Sequence, residues 1–506
     1  MIKYSLARLS LLSILMSVPL TLVAQSVPTI QIDIPGPMLA GGRFFCVFQN
    51  HPTAEPFWGL QSADYLQPTV LGQDAPVSTE DRVYLDPKDW YGFPDLPRSE
   101  WVRGASFVSI HFHPLLAAND EGIALYSGLI PVEELQKSDT IKIELENWSF
   151  QRNTPISKGH YNYELLIGEI LSDFWQIPMS TQCQVILPKS YFSDPDRVFP
   201  TLYVIHGFGG RFFESVLDED MLFDPNTPEM IVVVLDSKAP FGDSYQMNSA
   251  NNGPYADALI EELIPHLESE YRMVAHPTGR FLTGTSTGGW SSLALQIFYP
   301  DFFNGVWSTC ADPVDFRQME LINIYEDQNA FVNRFGLERP AMRSINGEPR
   351  YTVRMEVRSE NVSGHDHSYI TGGGQWGSWN AVYSPRDTIS GLPRALFDPE
   401  TGVIDPEVAE HWKKYDLRIY LAEHWAEVGP SLQGKLHLWM GTMDSYYLNN
   451  AMELMDRFLR TTKQPTSDAE IHFLCGEGHA CDQTIPLEKM MGQMVERWEK
   501  TRPQSN

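Results

Sequence analysis

From about residue 150 onward, apolar residues come in short unbroken runs separated by amphipathic stretches. The runs at 182–187, 201–205, 230–235, 280–282, 305–308, 435–439 and 471–474 are short and mostly apolar. Such runs mark strands buried on both faces of a parallel sheet. Between them, residues 256–272 place Leu259, Leu263, Ile264 and Leu267 at helical spacing, with Glu261, Glu262 and Glu268 on the other face. Strands and helices in alternation predict a mostly parallel sheet with helices on both sides.

Two regions depart from this rhythm. Residues 28–139 read as short β-like runs, at 29–34, 43–48 and 105–112, punctuated by Pro, Gly and Asp. They predict a small β-rich, sandwich-like domain over 27–150, ahead of a catalytic domain over 151–506. Alternation in the third run sets His111 and His113 on one strand face. Two histidines could hold a metal, but no third or fourth ligand is near in sequence, so a partly exposed strand face is expected and no metal site is assigned. Regularity also fails over 315–430, which contains Gly372-Gly373-Gly374, Trp376, Trp379 and several prolines and reads as an insertion. The glycine run predicts backbone freedom there. His365 and His367 in this stretch suit a binding or surface role.

A chain of 506 residues exceeds one ordinary domain, in keeping with this division. The formal net charge of −28, with no basic run, excludes a nucleic-acid binder. Residues 1–26 carry Lys3 and Arg8, an apolar stretch over 9–24 interrupted by Pro19, and then Gln25-Ser26. This is signal-peptide grammar and predicts export, periplasmic or secreted, with no stable membrane insertion once the leader is removed. Five cysteines leave at least one thiol unpaired. Cys475 and Cys481 bracket Gly476–His479, a spacing compatible with a disulfide-closed loop or with two unrelated buried thiols.

The chemistry is concentrated in Gly284-Thr285-Ser286-Thr287-Gly288, which follows one buried run and precedes a helix-compatible segment. A serine hydroxyl needs a tight turn, a neighbouring base and donors for an oxyanion before it can attack an ester, and glycines flanking Ser286 allow that turn. Upstream, the run at 201–205 leads into His206-Gly207-Phe208-Gly209-Gly210. Phe208 or Gly209 there, together with Thr287, is the expected source of oxyanion N–H groups, and His206 is expected to brace the loop. The acid and base should follow late strands in the order Ser, acid, His. Asp444, after the run at 435–439, and His479, after the run at 471–474, meet that order. Asp312 follows another run and is the competing acid. Trp290, Trp376 and Trp379 are candidates for substrate contact, with the insertion as a cap over the site.

Together, Val185-Ile186-Leu187-Pro188, the stretch 202–210, the helix 263–271, the stretch 284–289 and the Gly478-His479 ending resemble the putative esterase family of α/β-hydrolases, over roughly 175–310 and 433–495. That family includes feruloyl and acetylxylan esterases, enterochelin esterase-like enzymes, S-formylglutathione hydrolases and mycolyltransferases. Thr287 stands where the family usually has Met. The resemblance implies a serine esterase with a Ser286–His479–Asp444 triad and no metal or organic cofactor. Its expected substrate is a small-molecule or polysaccharide-linked ester, feruloyl or acetyl on carbohydrate. Siderophore ester hydrolysis is the alternative activity, and a non-catalytic carbohydrate-binding protein the alternative class.

Overall fold

The computed structural model describes residues 157–213, 219–479 and 485–503, and, nearer the N-terminus, 27–33, 42–49, 69–75, 82–102, 104–114, 124–135, 137 and 139–148. The expected leader, residues 1–26, lies outside the described residues.

Eight strands form the central sheet: β1 Tyr161–Gly168, β2 Met179–Ile186, β3 Thr201–Ile205, β4 Ile231–Leu235, β5 Arg280–Thr285, β6 Val306–Thr309, β7 Leu436–Gly441 and β8 Glu470–Leu474, in the spatial order β1-β2-β4-β3-β5-β6-β7-β8. β2 runs antiparallel to both its neighbours, and the remaining pairs are parallel. This is the mostly parallel sheet that the apolar runs predict, in the arrangement that the resemblance to α/β-hydrolases implies. Every residue of β3, β4 and β6 is buried. Tyr203, Ile205, Val233, Leu235 and Leu282 face one core, and Leu202, Val204, Val232, Val234 and Phe281 face the other. Two covered faces remove the polar alternation, so these strands read as continuous apolar runs. β1 escapes that reading because it is an edge strand, and its Leu165 and Ile167 point to solvent.

Between β6 and β7 the chain leaves the sheet. It forms a hairpin of Pro340–Arg343 with Pro349–Thr352, helix α2 (Val353–Ser363), helix α3 (Gln375–Tyr383) and two later helices, Pro406–Trp412 and Leu417–Val428. Thr352 caps α2 by accepting from the Met355 N–H. The Gly372-Gly373-Gly374 run serves close approach more than freedom. A Cβ on Gly372 would stand 2.6 Å from the Glu360 carbonyl oxygen, and one on Gly374 would stand 2.3 Å from the Glu360 carboxyl carbon.

Nearer the N-terminus, Arg82–Leu85, Thr29–Asp33 and Thr140–Glu144 make one sheet, and a second is centred on Phe107–Pro114, Gly42–Gln49 and Thr69–Ala75. Residues from both, Ile30, Ile32, Phe44, Cys46, Val108 and Ile110 among them, share one core. His111 is buried and hydrogen-bonded to Ser109, and desolvation pushes both His111 and His113 down to about 4. That strand face is therefore interior at His111, while His113 is half-buried, so the partial exposure expected holds for the second histidine only.

The second sheet also grips α2. The Arg43 Nε donates to the Val362 carbonyl at 2.6 Å, its Nη1 pairs with Asp74, and Asp74 in turn accepts from the Asp366 N–H and pairs with His365. His367 stacks on Tyr91. Gly72 makes this possible, since a Cβ there would meet the Val362 carbonyl oxygen at 2.1 Å.

Helix α1 (Thr287–Phe298) follows β5 and lies directly on the sheet. A Cβ on Gly288 would stand 2.0 Å from the Ile205 carbonyl oxygen, and one on Gly284 would stand 2.2 Å from the Gly288 carbonyl oxygen. Both obstacles are backbone and cannot rotate away. Gly288→Ala is therefore expected to destabilise the fold by about 3 kcal/mol or more through overpacking, read as a lowered Tm. An unchanged Tm would contradict this packing.

Candidate active site

The turn from β5 into α1 holds Ser286 at φ 58° and ψ −121°, a conformation that side-chain-bearing residues rarely adopt. Its backbone is pinned on both sides. The Ser286 N–H donates to the Thr309 carbonyl, and its own carbonyl accepts from Trp290 and from Asp312. The Oγ is thereby lifted off the sheet at the C-terminal ends of the strands, where ligands bind in open α/β sheets.

β7 and β8 deliver two partners. Gly441, the last residue of β7, lies against the loop after β8, and a Cβ on it would stand 2.3 Å from the Gly478 carbonyl oxygen. The Met443 N–H donates to the Glu477 carbonyl at 2.8 Å, which ties the two loops together. In consequence Asp444 Oδ2 lies 2.6 Å from His479 Nδ1, and His479 Nε2 lies 3.0 Å from Ser286 Oγ. Asp444 is fully buried, and its Oδ1 accepts from the Tyr446 and Leu448 N–H groups. The loop is fixed from outside by Arg343, which donates to the Asp444 carbonyl and to Asn449. An ionised carboxylate offers only acceptors, so Nδ1 carries the proton and the Nε2 lone pair faces the serine.

Asp312 is also close, but to a different atom. Ser286 Oγ lies 3.4 Å from its Oδ1, while Oδ2 accepts from Tyr245 at 2.6 Å, from Thr287 Oγ1 at 3.0 Å and from Trp379 Nε1 at 3.3 Å. Burial raises its pKa, and the donors around it act the other way. It touches the serine, whereas Asp444 is the acid on the imidazole.

The remaining expectations divide. Phe208 lines the cavity beside Ser286, and Gly207 lies against Ser286, with a Cβ built on it 3.6 Å from the serine Cβ. Gly209 has φ 73°, as the turn closed by the bond from the Gly210 N–H to the Gly207 carbonyl requires. Thr287 is fully buried at the start of α1. His206 is buried at the head of this loop, and a Cβ on Gly210 would collide with it. Of the three tryptophans, Trp379 lines the cavity. Trp290 does not line it but sits in the core against Tyr245 and Tyr383, and Trp376 packs against Trp379 and Phe397 behind the wall. Cys475 is an exposed free thiol, so it neither closes a loop with Cys481, which lies outside the described residues, nor is it buried. Cys310 Sγ comes within 4.8 Å of ligand atoms of Asp444 and His479, but it is disulfide-bonded and has no thiolate to offer a metal.

Sequence reasoning missed the far wall. The cavity, about 290 Å³, is lined not only by Ser286, His479, Phe208 and Trp379 but also by Glu320, Glu356 and Glu360, with Tyr351 and Tyr446. Val353, Glu356, Val357 and Glu360 fall on one stripe of α2, so carboxyl groups standing at core positions of a helix were the available signal. Glu360 is held by the N–H groups of Trp376 and Gly377 at the start of α3, and Glu356 Oε2 accepts from Trp376 Nε1 at 3.0 Å. Burial raises all three, Glu356 to about 7 and Glu360 to about 8.

Residues 176–387 match the family model described as Putative esterase. Among solved structures, the chain is similar to an S-formylglutathione hydrolase from Agrobacterium tumefaciens at 11% identity and a TM-score of 0.38, covering 68% of this chain and 98% of that one. A fluorophosphonate-binding serine hydrolase from Staphylococcus aureus matches at 16% identity and 0.36, over 67% and 99% of the two chains. A ferulic acid esterase from Anaeromyces mucronatus, in complex with ferulic acid, matches at 13% and 0.34, over 69% and 95%. Likenesses this remote bear on neither substrate nor individual residues.

The raised Glu356 makes stability depend on pH. Its carboxyl stays protonated in the folded state up to about 7 but ionises from about 4.5 in the unfolded chain, so its contribution is full below 4.5 and is lost as pH rises through 7. Glu356→Gln keeps an acceptor for Trp376 and does not ionise. The fall in Tm between pH 5 and pH 8 is expected to be shallower in this variant than in the parent, and parallel curves would contradict the assignment.

Proposed function

We propose that the chain is a carboxylic ester hydrolase of the putative esterase family, whose model matches residues 176–387, and that it works through an acyl-enzyme formed on Ser286. His479 Nε2 takes the Ser286 proton as Oγ attacks the ester carbonyl carbon. Asp444 holds the imidazole in the tautomer that can accept and balances the imidazolium that results. The N–H groups of Thr287 and of Phe208 or Gly209 face the oxyanion. The imidazolium then gives its proton to the leaving alkoxide. Water, deprotonated in turn by His479, attacks the acyl carbon and regenerates the serine. The observation that carries this reading is the unbroken line of hydrogen bonds from Asp444 through His479 to Ser286, at 2.6 and 3.0 Å.

The finer assignments extend the proposal. The substrate is a carbohydrate-linked acyl ester, a class supported by the sequence resemblance. The carboxyl groups in the cavity wall disfavour the anionic catecholate complexes of the siderophore alternative. The protein is exported, which is supported by the leader pattern over 1–26 and by a disulfide at Cys310, a bond suited to an oxidising compartment. Residues 27–150 form an accessory β-rich domain, and 315–430 an insertion that caps the site.

Kinetics on a 4-nitrophenyl ester test the triad. Ser286→Ala is expected to lower kcat by roughly 10³-fold or more and Asp444→Asn by on the order of 10⁴. Asp312→Asn, which leaves the imidazole partnered, should lose only on the order of tenfold. A damaging Asp312→Asn beside a mild Asp444→Asn would reverse the acid assignment, and an active Ser286→Ala would remove the nucleophile.

A further inference from the structure

Of the groups that line the cavity, Ser286, His479 and Phe208 belong to the proposed ester chemistry, Asp312 has its Oδ2 filled by three donors and its Oδ1 beside Ser286, and Glu360 has both its oxygens filled by the donors named above. Glu320 does not. Only 1% of its surface is exposed, it lines the cavity, and its Oε2 has no hydrogen-bond partner. An acceptor stranded in this way costs free energy unless something occupies the space in front of it. The backbone adds a second sign of constraint. Glu320 has φ 54°, at the tip of a turn closed by reciprocal bonds between Met319 and Ile322. A residue with a side chain held in that region is strained, and here the strain accompanies a buried carboxyl group at the wall of the site.

The surroundings fix the sign of the missing partner. Glu356 stands close enough to Glu320 for each to shift the other's titration. Two carboxyl groups in such contact oppose each other's ionisation, and a cation placed between them relieves that repulsion. Among the residues that line the cavity, His479 is the only basic side chain, and it is engaged with Asp444 and Ser286. The other walls include Tyr351, Tyr446 and Trp379, whose ring faces favour cations. A metal ion suits the site less well. Calcium needs six to eight oxygen ligands, yet among the described residues the one group of three metal-ligating side chains whose atoms lie within 4.8 Å of one another is Cys310, Asp444 and His479.

We propose that this arm of the cavity binds an organic cation, a protonated amine or a guanidinium carried by the ester substrate, with Glu320 and Glu356 as its specificity-determining residues. The inference rests on the esterase reading of the same cavity and narrows its substrate. An acyl ester of a carbohydrate that bears a free amino group satisfies both, whereas a neutral feruloyl or acetyl polysaccharide leaves Glu320 Oε2 unused. The cation also supplies a fixed point from which the ester carbonyl is held against Ser286, so recognition enters kcat/KM as well as binding.

The test has two arms on the full-length protein. In the first, butylammonium chloride is titrated calorimetrically, with butan-1-ol as the neutral control and calcium chloride followed by Tm. Saturable binding of butylammonium is expected, none of butan-1-ol, and a weakening of at least about tenfold in Glu320→Gln, the order for removing one charge-assisted hydrogen bond. Glu356→Gln provides a second variant should Glu320→Gln not fold. In the second arm, 4-nitrophenyl 6-aminohexanoate is compared with 4-nitrophenyl hexanoate. The ratio of kcat/KM, amine over neutral, is expected to exceed roughly ten in the parent and to approach one in Glu320→Gln. Absence of butylammonium binding, or equal binding by Glu320→Gln, overturns the cation site whatever the esters do. A Glu320-dependent rise in Tm with calcium alone overturns it in favour of a metal. Retained butylammonium binding with neither ester hydrolysed leaves the cation site standing and removes the esterase reading instead.

Discussion

The site depends on one backbone constraint, the placement of Ser286 in a disfavoured conformation between β5 and α1. A residue at φ 58° and ψ −121° returns to an ordinary conformation unless its neighbours forbid it. Here they do. Gly288 touches the carbonyls at the end of β3, and Gly289 lies against the Thr309 carbonyl oxygen and the Ala311 Cα, so α1 is pressed onto the sheet at van der Waals distance along its first turn. The Ser286 N–H and carbonyl are both engaged with the segment at the end of β6. Relaxing Ser286 would require lifting the helix from two strands at once. The strain is thus held by backbone packing that extends well beyond the serine, and the hydroxyl is presented ready for a base.

Around this fixed point the cavity is assembled from parts far apart in sequence. The sheet supplies Ser286, Asp444 and His479 from loops after β5, β7 and β8, and the segment between β6 and β7 supplies the opposite wall. Helix α2 links that wall to the N-terminal strands. Glu356 and Glu360 face the cavity, while Val362 packs with Phe45, Val47, Val70 and Phe93 of the second N-terminal sheet. The Arg43 guanidinium, almost fully buried, donates to the Val362 carbonyl and pairs with Asp74. A buried charge of this kind is expensive to strand, so the contact fixes where α2 can sit. The N-terminal sheets therefore act on the cavity through the position of one helix.

How much of this was legible in the sequence follows from which faces are covered. Strands β3, β4 and β6 are buried on both sides and announce themselves as apolar runs, whereas β1 hides because Leu165 and Ile167 face solvent from an edge. The proposed triad could be ordered because its members follow recognisable strands, and the fold dictates that order. The acidic wall was not found, because it comes from a turn and a helix that carry no strand signal. There, a glutamate at a buried helical position looks like any surface glutamate until its stripe is compared with Val353 and Val357. The tryptophans show the same limit. Trp290 and Trp376 are interior and Trp379 meets the cavity, a difference set by packing between segments, which periodicity does not record.

The account turns on Ser286 being an activated nucleophile, and covalent labelling tests that most directly. Incubation of the full-length protein with a fluorophosphonate, followed by peptide mass spectrometry, should place a single phosphonyl group on Ser286, with labelling lost in His479→Ala because the base that removes the serine proton is gone. Labelling of another residue, or labelling of Ser286 that is indifferent to His479, would contradict the account.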